Sequence, residues 1–88
     1  MKTIEGIMLH GNYDESDQEF TLKRIKNIYT ETSLNESQLE NLYAYLKAHE
    51  HDQDGQIVSF YDQLLLKLTP DEIKILVAEL ENVLSMYE

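Results

Sequence analysis

The chain has 88 residues, 17 acids against 7 bases for a net charge of −10, and 42% hydrophobic residues. This length admits one domain, the hydrophobic share is too high for a disordered chain, and the charge argues against direct contact with DNA, RNA or anionic membranes, whose phosphates it would repel. Cysteine is absent, which excludes disulfides, thiolate metal sites and thiol redox chemistry.

Only three glycines and one proline occur, so turn chemistry is scarce and long helices are favoured over many short strands. The expectation is an all-α fold: a small bundle or array of about four helices, with residues 1–88 forming a single helical domain. Residues 1–13 are open between a short helix, from the spacing of Ile4, Ile7 and Met8 with Gly11 as a stop, and a short strand. Asn12 to Asp17 reads as a polar connection.

The first helix is predicted to start near Ser16 or Asp17, because Ser16 with Glu19 fits a capping box. Phe20, Leu22, Ile25, Ile28 and Tyr29 give it a rough apolar stripe, and Thr30–Ser33 breaks it. The second starts at Asn35 as N-cap, with Gln38 completing the box and Leu34 and Leu39 forming a hydrophobic staple. Leu39, Leu42, Tyr43 and Leu46 then share one face, and Glu50–Gly55 is a polar turn. A third helix is expected over Ile57–Leu68, with Ile57, Tyr61, Leu64, Leu65 and Leu68 inward and Val58, Phe60 and Leu66 widening that face. The fourth has Thr69 as N-cap, Pro70 at the first helical position, Glu72 completing a capping box, and Leu68 with Ile73 as staple. Its stripe runs through Ile73, Leu76, Leu80, Val83, Leu84 and Tyr87. Ile75 and Val77 lie off that stripe, so Ile75, Val77 and Leu84 are a candidate face for self-association.

One segment invites a metal. Glu50, Asp52, Asp54, Gly55 and Ile57 stand at positions 1, 3, 5, 6 and 8 of a loop that resembles the calcium loop of an EF-hand. Position 12 is Tyr61 instead of the bidentate Glu, with Asp62 one residue later, and no second loop accompanies it. The competing reading is a polar turn in which Gly55 supplies a left-handed backbone. His49 and His51 with the neighbouring acids are a further metal candidate, but residues two apart on a helix point to different sides. No cofactor is implied.

No nucleophile arrangement or phosphate loop stands out, and the many paired carboxylates read as acids that solvate helix surfaces, so an enzyme is not expected. The charge is uneven: residues 1–29 carry four bases against five acids, and residues 30–88 carry three bases against twelve acids. The expected function is therefore a non-enzymatic interaction or regulatory protein that binds a basic surface on a protein partner, with Glu36, Glu40, Tyr43, Tyr45, Glu50, Asp52 and Asp54 as the candidate face. Inhibitors, antitoxins, immunity proteins and phage-encoded regulators share this composition. The alternatives are a metal-responsive module at residues 50–57, with Glu50, Asp52 and Asp54 as ligands, and a structural subunit of a homo-oligomer. The start of the chain, Met1–Glu5, lacks the pattern of a signal peptide, and no apolar run reaches bilayer length, so the expected compartment is the cytoplasm.

Overall fold

A computed structural model of the chain describes residues 2–60 and 64–87. These residues form four strands, β1 (Lys2–Glu5), β2 (Leu9–Asp14), β3 (Glu19–Ile25) and β4 (Ile28–Leu34), then helix α1 (Glu36–Ala48), strands β5 (Gln56–Phe60) and β6 (Leu64–Leu68), and helix α2 (Pro70–Ser85). β1 to β4 make an antiparallel meander in chain order, and β5 with β6 makes a separate antiparallel pair. The fold is mixed α and β, and the expected all-α bundle is wrong.

Two of the four expected helices are hairpins, and residues 2–5 and 9–14 take the strand reading. At the predicted first helix, Ser16 does not cap. Its N–H donates to the Asp14 carboxylate at 2.9 Å, and Gln18 adopts a φ of 52°, which together close the turn between β2 and β3. From Phe20 onward the period is two: Phe20 and Leu22 are buried on one face, an irregularity follows between Leu22 and Arg24, and Ile25 is again buried. A helix would place Phe20 and Leu22 about 200° apart and could not bury both in one core. Lys26, with a φ of 58°, turns the chain so that Ile25 faces Ile28, and the β-branched run of β4 follows.

The predicted helix over 57–68 is likewise replaced. Val58, Leu66 and Leu68 point inward, while Ile57, Ser59, Leu65 and Lys67 point outward. Tyr61, assigned to the buried face of that helix and to the last position of the calcium-like loop, and Asp62 lie outside the described residues.

The other two helices form where their caps sit. The Asn35 side chain accepts from Gln38 N–H at 2.8 Å and Gln38 accepts from Asn35 N–H at 2.9 Å. Thr69 and Glu72 repeat the arrangement at 3.2 and 2.9 Å, with Pro70 at the first helical position. Both staples are buried. Glu72 is also bonded by Lys26 at 3.1 Å, which ties the β3–β4 turn to the start of α2. The Thr69 backbone bond, foremost, holds the Glu72 carboxyl below the ordinary carboxylate range.

One continuous core joins both sheets and both helices. α2 is central to it: Ile73, Leu76, Val77, Leu80 and Val83 are all buried. Val77 is 3% exposed, so its expected place on an oligomer face is corrected, since the chain's own core covers it. Ile75 and Leu84 are half-buried against that same core. The helix is apolar around much of its girth because α1, β2 and β6 flank it.

Beyond α2, Tyr87 packs edge-on against Tyr13 with ring centroids 4.8 Å apart, and its hydroxyl donates to the Leu34 carbonyl at 3.3 Å. Burial first, and the Tyr13 hydroxyl second, push the Tyr87 hydroxyl up to about 12 from the ordinary 10.0. The folded state thus holds this proton more tightly than the unfolded chain. Its stabilising contribution is complete below pH 10.0 and is lost as pH rises through about 12. Urea midpoints measured across that window should fall, and Tyr87→Phe should flatten the fall. An equally steep decline in the variant would contradict this account.

Candidate docking groove

The candidate residues separate into three places. Glu36 and Glu40 are exposed on α1, and no ion pair involves either among the described residues. Tyr43 faces α2, where its hydroxyl donates to Glu81 at 2.6 Å, a bond that pushes the hydroxyl above its ordinary range. Glu50 is engaged by Lys47 at 3.1 Å, which raises the lysine. Asp52 meets His49 Nδ1 at 2.7 Å and accepts from Gln56 at 2.9 Å, while Asp54 is exposed on the turn. Glu50, Asp52 and Asp54 therefore do not converge. Among the described residues no three histidine or carboxylate side chains are placed to hold a metal. Gly55 has a φ of 71°, the left-handed turn residue of the competing reading.

Tyr45 has a different setting. It is 41% exposed, its ring lies 4.7 Å from that of His49, and its hydroxyl donates to Gln56 at 2.8 Å. It lines an open groove of about 410 Å³ between α1 and β5. One wall is a single helical stripe, Gln38, Asn41, Leu42 and Tyr45; the other is Ile57, Val58 and Ser59, with Leu34 at the end of β4. Ile57 is 63% exposed there, and Leu65 at 66% extends the apolar surface over the outer face of the hairpin. Glu36 and Glu40 lie roughly 160–200° around α1 from Gln38, on the far side of the helix from this groove. The acids near the groove are at its other end, where Tyr45 leads through Gln56 to Asp52.

Of the groove residues, only Tyr45 belongs to the sequence-predicted contact face. Gln38 is predicted as part of a capping box, Leu34 as half of a hydrophobic staple, and Ile57 and Val58 as buried helical positions. The available signal is the β-branched pair Ile57 and Val58 followed by Phe60 just after the Gly55 turn, residue types that favour a strand but form a run too short to overrule the leucine run after it.

No protein family, curated protein or solved structure matches this chain. No helix among the described residues is long and apolar enough to cross a membrane.

Proposed function

We propose that this chain is a non-enzymatic interaction protein that docks a protein partner bearing basic and apolar side chains in the groove between α1 and β5. The observation that carries the reading is the groove itself, in which Leu42, Tyr45 and Ile57 present apolar surface to solvent beside the polar amides of Gln38 and Asn41. Charge supports the sign of the partner. The chain carries a net charge of −10, which attracts a cationic surface and repels an acidic one.

The test compares the protein with Ile57→Lys as bait in extract from its native cell. Position 57 is exposed, so the change leaves the core intact while it places a repelling charge on an apolar wall. The wild type is expected to retain a basic protein that Ile57→Lys loses. A partner held equally by both baits, or retained by neither, would remove the groove as the site.

A further inference from the structure

β5 and β6 pair only with each other among the described residues, so each has an outer edge, and the two edges differ. The edge of β6 is blunted by Lys26, whose ammonium donates to the Lys67 carbonyl at 2.9 Å. The edge of β5 opens on the groove. Three consecutive residues, Ile57, Val58 and Ser59, line it, although their side chains alternate between the two faces of the hairpin. A cavity that touches all three runs along the strand's edge.

Antiparallel partners alternate between pairs that exchange both backbone bonds and pairs that exchange none. Lys67 spends its carbonyl on Lys26, away from β5, whereas the Leu68 carbonyl lies over Gly55 on the β5 side. With Ile57 opposite Lys67 and Ser59 opposite Leu65, Ile57 and Ser59 are then the residues that turn N–H and C=O outward, into the groove.

We infer that the partner is bound as an extended strand added to the β5 edge, hydrogen-bonded to the backbone of Ile57 and Ser59, with the stripe Gln38–Asn41–Leu42–Tyr45 as its second wall. This rests on the docking reading above and names its mode. The segment that fits alternates apolar and cationic residues. Its apolar side chains enter between Leu42, Tyr45 and Ile57, and a cation beyond the Tyr45–Gln56 bond meets Asp52, whose side chain is 46% exposed. Lys67, the cation on the hairpin, belongs to β6 and lies across β5 from the groove.

The probe is an end-blocked octapeptide of alternating valine and lysine, titrated into isotope-labelled protein and followed by amide shifts. Shifts should centre on residues 57–59 and 38–45, and exchange of the Ile57 and Ser59 amides should slow. Ser59→Pro removes one outward N–H and no ladder bond, so the fold should persist while affinity falls by at least about tenfold; Ser59→Ala should bind within about twofold of wild type. N-methylating alternate residues of the peptide, in each of the two frames, tests the same bonds on unaltered protein, and one frame should abolish binding. Shifts centred on Glu36 and Glu40, no shifts at millimolar peptide, unweakened binding of both N-methylated peptides, or edge-to-edge dimerisation that excludes the peptide would each overturn strand addition. If Ile57→Lys removes the natural partner while Ser59→Pro does not, docking in the groove stands and strand addition falls.

Discussion

Gly55→Ala is expected to lower stability by about 2–4 kcal/mol, roughly 10–20 °C in melting temperature for a domain this small. Two causes add. The residue has a φ of 71°, where an L side chain is strained. A Cβ there would also overlap the Leu68 carbonyl oxygen and approach Thr69 Cα to 3.3 Å, and these are backbone atoms that cannot swing aside. Asparagine separates the causes, because it tolerates the left-handed region but carries the same Cβ. Gly55→Asn should therefore be nearly as damaging as Gly55→Ala. Recovery of most of the stability with asparagine would show that φ alone matters. Because the overlap falls where β6 passes into α2, the damage should also displace β5 and weaken whatever the groove binds.

The second large effect centres on Glu79. Its carboxylate reaches from α2 to the β1–β2 turn and accepts three successive backbone N–H groups, those of Ile7 at 2.6 Å, Met8 at 3.0 Å and Leu9 at 2.9 Å. The Gly6 carbonyl is held from the other side by Arg24 at 3.1 Å. Charge-assisted bonds to amides are stronger than neutral ones, and two of these amides are partly buried, so Glu79→Ala should cost about 2–3 kcal/mol. Glu79→Gln should fall between, since a carboxamide offers one acceptor oxygen where the carboxylate uses two. A Cβ on Gly6 would overlap the Glu79 carboxylate, so Gly6→Ala should dislodge the same latch. The two substitutions should then be strongly non-additive in a double-mutant cycle, with Gly6→Ala costing little once Glu79 is gone. Additive losses in urea denaturation would show that the turn and the helix are held by something else.

What could be read from the chain followed the range of the forces involved. Both helix starts at Asn35 and Thr69 were legible, because a capping box is closed within four residues and needs no other part of the molecule. Ser16 and Glu19 have the same spacing, yet Asp14 takes the Ser16 N–H, and Gln18 in the left-handed region stops a helix from beginning. The apolar residues of 20–29 and 57–68 fit a loose helical stripe and an irregular strand alternation about equally well. The tie was broken by pairing: Phe20 against Leu34 and Val58 against Leu66 each bury side chains against residues some distance along the chain. The groove shared this fate. Tyr45 was singled out as a contact residue, but its opposite wall exists only because 56–60 is a strand.

By itself, then, the sequence determined the acidic charge, the two capped helices, the turn at Gly55 and the apolar stripe of α2, all set by composition or by contacts within a few residues. The tertiary structure decided the two sheets, the burial of Val77, the wall that faces Tyr45, and the open edge of β5. Each of those depends on which distant segment lies alongside, and strand pairing, unlike helix capping, is a bond between residues the local sequence does not bring together.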